Sequence, residues 1–276
     1  MNLTGRVDSY TVGKLVAETD KYRLYLCRPQ KTDRECLLQV TVEMTWNGVL
    51  DKAAYLLGQM SRRAAALEEE YVQVRQRPHH VLNYQLGFPE LLESFIAAEQ
   101  GGCRVNILAF NNVEQVGDLV PLRNITRKDR CRIDLKSSVW ILGKALKMLI
   151  FAHSQNILIK RLDTSNILIE PKRHYVVLFD WTEAELRPSE LSIEDTRPEV
   201  MAVTQAVITV LGGQHLNRFI PGQDEDEHTQ AYAEFLYGLA NGRNPNPKSA
   251  QEALYRLVQD DFGWKGFHPF TTHPLE

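Results

Sequence analysis

The sequence lacks several features that would place it in a special class of protein. It has no run of about 20 apolar residues, the length that a membrane-spanning helix needs. Its first residues, MNLTGRVDSYTVG, do not have the basic and then apolar layout of a signal peptide. The cysteines are few, scattered and without a C-x-x-C pair, which argues against a zinc site: Cys27, Cys36, Cys103 and Cys131. These absences predict a cytoplasmic protein with reduced thiols.

An excess of charge of one sign is also missing. The 276 residues carry 32 Lys and Arg against 35 Asp and Glu, so the formal net charge is −3. This balance gives no electrostatic reason to expect a nucleic acid or an anionic membrane as a partner. A chain of this length can bury a large core, in one domain or in two lobes.

The first part of the chain has the patterns of β-structure with one helix. Alternating and β-branched segments predict five strands, at residues 10–16, 22–27, 35–42, 88–96 and 105–110. Between the third and fourth, residues 51–76 are rich in Ala, Leu, Glu, Arg and Gln, which favours a helix that ends before Pro78. A polar connector follows at residues 111–118.

The second part is mostly helical. Residues 137–154 carry leucines on one face, and residues 199–211 are apolar nearly all round, which predicts a buried helix stopped by Gly212 and Gly213. Ser249 and Glu252 form a capping-box pattern before a further helix. The acidic stretch at residues 223–227 is interpreted as a solvated loop. We expect an α+β chain with a small β-rich lobe, residues 1–112, and a larger helical lobe, residues 113–276.

The stretch ILIKRLDTSNILIE, residues 157–170, has a polar centre between two short apolar runs. Such runs predict two buried strands that present the loop between them. Its centre carries Arg161.

The order of these elements resembles the eukaryotic-type protein kinases over residues 10–267. Five segments carry the resemblance: YTVGKLVAETDKYRLYL (10–26), ECLLQV (35–40), KALKMLIFAHSQNILIKRLDTSNILIE (144–170), VVLFDWT (176–182) and GLANGRNPNPKSAQEAL (238–254). The resemblance implies a bilobal kinase-like fold, and it assigns a role to particular positions.

Two phosphate-binding features of the kinase pattern, the glycine loop and the strand lysine, are altered. The three glycines of G-x-G-x-x-G fall on Ala17, Thr19 and Tyr22, so we expect an ordinary β-hairpin rather than a phosphate loop. The strand lysine falls on Gln39, which is neutral and cannot offset phosphate charge. The helix glutamate that pairs with this lysine could be any residue of one acidic run: Glu68, Glu69 or Glu70.

The catalytic loop is altered as well. In H-R-D-x-x-x-x-N the Asp lies five residues before the Asn, and counting back from Asn166 gives Arg161, which cannot act as a base. Asp163 is either a displaced base or, as we expect, part of a local turn or ion pair. Asn166 and Asp180 match the kinase pair that holds magnesium, which leaves weak residual cofactor binding open. We hypothesise that Arg161 forms an ion pair with Asp180 in place of the metal and holds the cleft shut.

The segment after Asp180 departs from the pattern too. Trp181 and Thr182 replace Phe-Gly, and we expect the indole to be core. Only eighteen residues separate Asp180 from Glu199, which occupies the place of a kinase Asp at the start of the buried helix. Arg197-Pro198-Glu199 resembles A-P-E only faintly, so a peptide-docking ledge is doubtful.

The resemblance and these departures together predict a pseudokinase that does not transfer phosphate. It would bind a protein partner, as a scaffold or allosteric regulator, with no cofactor, no bound metal and weak or absent ATP binding. One alternative is an atypical kinase or nucleotidyl transferase with a rewired site, which would need a replacement lysine such as Lys14 or Lys21. Another is a nucleotide or small-molecule sensor without catalysis.

Overall fold

The computed structural model describes residues 2–75, 82–264, 266 and 268–275. The chain divides into two compact units. The first contains Met1–Asp118 and Trp181–Ala184, and the second contains Leu119–Asp180 and Glu185–Glu276. The lobe boundary predicted between residues 112 and 113 stays a prediction.

The first unit is built on an antiparallel sheet. Its strands in chain order are β1 (Asn2–Thr4), β2 (Ser9–Glu18), β3 (Tyr22–Pro29), β4 (Cys36–Thr41), β5 (Glu90–Ala97) and β6 (Cys103–Ala109). In space the order is β1-β2-β3-β4-β6-β5. The helix α1 (Asn47–Arg75) joins β4 to β5 and begins four residues before the predicted start at residue 51. Its predicted end, at Gln76 and Pro78, lies outside the described residues.

Alternation along the strands gives this sheet two buried faces. One face packs against α1, where the amide of Asn106 donates to the carbonyl of Leu50. The other face holds an apolar core that includes Tyr10, Leu38 and Val105. Because β4 is buried on both faces, it shows an unbroken run of buried residues.

A buried carboxylate ties the last strand of this sheet to the first two, so the sheet is curled. Glu93 of β5 accepts hydrogen bonds from the backbone N–H of Arg6 and Val7 and from the hydroxyl of Tyr10, at 2.8 Å for the last. Burial and the Glu93 carboxylate raise the pKa of Tyr10. A Cβ at Gly5 would collide with this carboxylate, so a larger residue there would have to displace the Glu93 side chain.

The second unit is mainly helical. Its helices are α2 (Leu122–Arg127), α3 (Leu135–His153), α4 (Ile193–Val210), α5 (Glu227–Ala240) and α6 (Pro247–Tyr255). Its short strands are β7 (Val120–Pro121), β8 (Cys131–Ile133), β9 (Ile157–Leu158), β10 (Ile167–Glu170), β11 (Tyr175–Leu178), β12 (Glu185–Leu186) and β13 (Thr272–Pro274). They form the small sheets β11-β10-β7, β12-β9 and β13-β8. The two buried strands predicted around the polar loop are β9 and β10, which confirms that prediction.

Two predicted helix starts are wrong. The helix expected to begin at Glu199 begins at Ile193, because Ser192 and Asp195 form a capping box, and Pro198 lies inside the helix. The last helix is capped by Asn246, whose side chain accepts from the backbone N–H of Lys248 and Ser249, and not by Ser249. In both places a polar residue further upstream satisfies the free N–H groups of the first turn.

The described residues contain no helix that is both long enough and apolar enough to cross a membrane. The four cysteines are free thiols, and burial raises the pKa of Cys36 to about 11.

Candidate functional site

The kinase resemblance assigns the phosphate loop to the turn between β2 and β3. The N–H of Thr19 donates to the carbonyl of Tyr22 at 2.9 Å, and the Thr19 hydroxyl accepts from the N–H groups of Lys21 and Tyr22 at 3.2 and 3.0 Å. Glu18 pairs directly with Arg23 beyond the turn. The segment is therefore a tight hairpin closed by a threonine side chain, which confirms the predicted hairpin.

Gln39 lies in the middle of β4, between Leu24 on one neighbouring strand and Asn106 on the other. Its side chain is buried, with 3% of the residue exposed. Cross-strand partners share a face, so Gln39 shares that of Asn106, against which α1 packs. A neutral amide thus stands at the position that the kinase resemblance assigns to lysine.

Two of the three candidate glutamates of α1 have partners elsewhere. Glu68 accepts from the N–H of Leu82 at 2.9 Å, and Glu70 pairs with Arg63 at 3.3 Å. Glu69 is exposed. The acidic run therefore makes contacts on the surface of α1 and with the segment that begins at Leu82.

The polar loop between β9 and β10 is held in place by a buried carboxylate of α4. Glu199, only 3% exposed, accepts from the N–H of Lys160 and contacts Nε2 of His153 at 2.6 Å. Lys160 has a positive φ of 70°, an uncommon backbone conformation for a residue other than glycine. No local sequence pattern assigns a role to His153, whose only signal is that a titratable residue stands in the last turn of the apolar helix α3.

Arg161 forms the predicted ion pair with Asp180. Its Nη1 lies 2.7 Å from Oδ2 of Asp180, within donor–acceptor range. Asp180 is buried, at 3% exposure, whereas the Arg161 side chain is 31% exposed. Both residues belong to the second unit. The guanidinium of Arg161 therefore supplies the positive charge that neutralises the buried Asp180 carboxylate.

Asp163 takes part in both the turn and the ion pair that were expected of it. Its Oδ1 accepts from the N–H of Ser165 at 2.6 Å and of Asn166 at 3.2 Å, and its Oδ2 lies 3.4 Å from Nε of Arg161. Burial raises the pKa of Asp163, but the hydrogen bonds from Ser165 and the charge of Arg161 outweigh this, so its pKa lies below the ordinary value. A carboxylate in this state is a weak base.

The side chain of Asn166 is engaged by backbone groups. Its Nδ2 donates to the carbonyls of Arg161 and Asp180, and its Oδ1 accepts from the N–H of Asp180. Asn166 therefore joins the loop to the end of β11. A metal ion at Asn166 and Asp180 would have to compete with these bonds and with Arg161.

The residues after Asp180 pack into the first unit. Trp181 is buried, at 1% exposure, and its ring meets that of Phe88 edge-on with centroids 6.1 Å apart. This confirms that the indole is core. Lys21 lies 3.6 Å from Glu183, and Lys14 is exposed.

Within the parts of the chain that the structure describes, no three His, Cys, Asp or Glu side chains cluster closely enough to hold a metal ion. Asn166 and Asp180 are the residues that could supply two oxygen ligands to a divalent cation.

Comparison with known proteins identifies the fold but not a sequence family. No family model matches the sequence, and no curated protein matches it. Vaccinia related kinase 3 is similar over 95% of this chain and 91% of its own, at 14% identity and a TM-score of 0.58. The BubR1 kinase domain is similar over 96% and 84%, at 10% identity and 0.62. The autoinhibited serine kinase domain of titin is similar over 95% and 84%, at 12% identity and 0.62.

These likenesses extend over both units of the chain, from the curled sheet to the helices. At such low identity they bear on the fold alone. The chain has the protein kinase-like fold.

Proposed function

We propose that the protein is a catalytically inactive pseudokinase that acts through protein binding, as a scaffold or an allosteric regulator. The observation that carries the proposal is the contact between Arg161 and Asp180. At the position of the catalytic carboxylate stands a permanent cation, and it binds the carboxylate that would otherwise hold magnesium.

A guanidinium cannot accept the proton of an attacking hydroxyl at neutral pH. Phosphoryl transfer also depends on positioning and on compensation of phosphate charge, each worth orders of magnitude in rate. Gln39 brings no charge to the phosphates, and the Thr19 hairpin has no glycine loop to close over them. The losses of the base, the lysine and the loop therefore support the same conclusion.

The rewired enzyme is the less favoured alternative. It would need Asp163 as a base, and that carboxylate has a lowered pKa and is held by Ser165, Asn166 and Arg161. It would also need a replacement lysine; Lys21 pairs with Glu183, and Lys14 lies exposed on β2. As the sequence predicts, the proposal also includes a protein partner, no cofactor and a cytoplasmic location.

A phosphotransfer assay tests the proposal. The protein is incubated with γ-labelled ATP, magnesium and a generic protein substrate, next to the Asp180→Ala variant. We expect no label above background in either sample. Transfer by the wild type that Asp180→Ala abolishes would show a working metal site and contradict the proposal.

The binding role has its own test. If the protein works through contacts rather than catalysis, a cell that depends on it should tolerate Asp180→Asn, which keeps the shape of the side chain and removes its charge. Loss of function in this variant, at unchanged protein level, would favour an enzyme.

A further inference from the structure

The curled sheet of the first unit forms a partly open cavity of about 270 Å³ on the face away from α1. Its lining residues come from five elements of the unit and from the turn before β6: Leu3, Val12, Gly13, Tyr25, Leu38, Val40, Gln100 and Val105. The cavity is remote in sequence from the Arg161 loop.

The floor of the cavity is apolar and buried. Leu3, Leu38 and Val105 are each at most 3% exposed and belong to the hydrogen-bonded strands β1, β4 and β6. Protein interiors are normally close-packed, and an apolar cavity of about 150 Å³ already accepts benzene. The larger volume here suits a fragment-sized apolar group rather than a drug-sized ligand, whose sites start at about 300 Å³.

The strand β2 is irregular beside its two lining residues, Val12 and Gly13, which we take as the mouth of the cavity. Val12 pairs with Cys27, and the next pair joins Leu15 to Tyr25, so β2 uses one residue more than β3 in this interval. The extra residue falls at Gly13 and Lys14, both exposed. Bulges of this kind bend a strand and occur often at barrel rims and beside binding sites.

A lysine adjoins these lining residues in the chain. Lys14 directly follows the lining residue Gly13, and it makes no ion pair with any residue that the structure describes. An ammonium at the rim of an apolar cavity is complementary to a ligand with an apolar body and an anionic head.

We propose that this cavity binds a small aryl or alkyl carboxylate, with its apolar body against Leu3, Leu38 and Val105 and its carboxylate at Lys14. The site is independent of the proposed pseudokinase function, since none of its residues belongs to the Arg161–Asp180 loop. Each idea can therefore fail without the other.

The probe is 2-naphthoate, with the neutral 2-naphthamide as its matched partner. Both are titrated into the full chain while the methyl resonances of its Leu and Val residues are followed by NMR. Val12→Phe fills the mouth, Lys14→Gln removes the cation, and Lys172→Gln, an exposed lysine of the second unit, is the matched control.

We expect 2-naphthoate to shift the methyls of Leu3, Val12, Leu38 and Val105 in a saturable way. Val12→Phe should weaken binding at least tenfold. Lys14→Gln should weaken 2-naphthoate several-fold and leave 2-naphthamide unchanged, and Lys172→Gln should change neither.

Two results would overturn the proposal: no saturable shift with millimolar 2-naphthoate, or shifts confined to residues outside the cavity. Binding that is equal for the acid and the amide would refute the role of Lys14. If Val12→Phe does not fold, the map of shifted methyls in the wild type still decides whether the cavity is the site.

Discussion

At the scale of single residues, Arg161 reverses the charge of one position and thereby changes the partners of its neighbours. Asp180, which in a kinase would face a metal ion, here faces a guanidinium at 2.7 Å. Removing one partner of an ion pair leaves the other, buried charge without compensation. The resulting loss of stability is larger than the stability that the intact pair contributes.

Arg161→Ala is therefore expected to destabilise the protein by about 1–3 kcal/mol, because it leaves the buried Asp180 carboxylate without its cation. Chemical denaturation followed by circular dichroism measures the change. Arg123→Ala, an exposed arginine of the same unit, is the matched control and should stay near wild type. Millimolar Mn²⁺ should raise the melting temperature of Arg161→Ala and not that of the wild type.

An Arg161→Ala variant as stable as the wild type would mean that the ion pair contributes nothing. A double-mutant cycle with Asp180→Ala separates the pair from other effects of each substitution, since coupled residues deviate from additivity. The hypothesis that the pair also holds the cleft shut stays a prediction.

The sequence alone allowed the positions of Arg161, Asn166 and Asp180 to be predicted, because the spacing of the polar loop and the VVLFDWT segment of the kinase resemblance identify them. Partners that are distant in the chain gave no such signal. Glu93 binds the backbone of Arg6 and Val7 across more than eighty residues, and Glu199 binds the N–H of Lys160 across 39. No local pattern distinguishes such a buried carboxylate from a surface one.

At the scale of elements, strands with strong alternation were predicted to within about two residues at most ends. The predictions failed where capping decides the boundary: α4 starts at the Ser192 cap and continues through Pro198. No helix was assigned to Glu227–Ala240, although Asp226 caps it. The acidic residues 223–227 have the pattern of a solvated loop, and this pattern does not reveal that Asp226 caps a helix that begins at Glu227.

The junction of α3 with the β10–β11 hairpin contains a histidine that favours its neutral form. His174 is buried, stacks on Trp140 at a centroid distance of 4.3 Å, and has a φ of 57°. Burial lowers its pKa below the ordinary value of about 6.5, and the charges of Lys144 and His268 lower it further, while Glu170 acts in the opposite direction.

Protonation of His174 is therefore expected to destabilise the fold in acid. Because the folded pKa lies below the unfolded one, the contribution of neutral His174 to stability is complete above pH 6.5 and is lost as the pH falls through the folded pKa. Denaturation midpoints measured from pH 7.5 to pH 5 should fall in the wild type. His174→Asn keeps a residue that tolerates positive φ, and its midpoints should fall less over that range.

If the denaturation midpoints of the wild type and His174→Asn depend equally on pH, groups other than His174 cause the loss of stability in acid. Lys172→Gln, in the same hairpin turn, controls for an added or removed surface charge.

At the scale of the whole molecule, the chain has a protein kinase-like fold, although Gln39 and Arg161 stand where the kinase resemblance assigns the strand lysine and the loop carboxylate. The fold depends on buried apolar strands and helices, and the altered residues do not disturb these. Gln39 lies within the buried run of β4, and Trp181 adds an aromatic contact to the core. A fold-level likeness can therefore survive while each functional position is judged by its own residues.

Three departures from the kinase pattern should each weaken ATP binding, so we expect the protein to bind ATP weakly or not at all. Gln39 supplies no positive charge, the Thr19 hairpin brings side chains where bare backbone must approach phosphate, and Arg161 competes with magnesium for Asp180. Calorimetric titration with ATP, with and without magnesium, should give no saturable heat at micromolar concentrations. Arg161→Ala should recover only a small part of the affinity, because it frees Asp180 but leaves the other two departures in place. Saturable micromolar binding by the wild type would contradict this expectation and favour a nucleotide sensor.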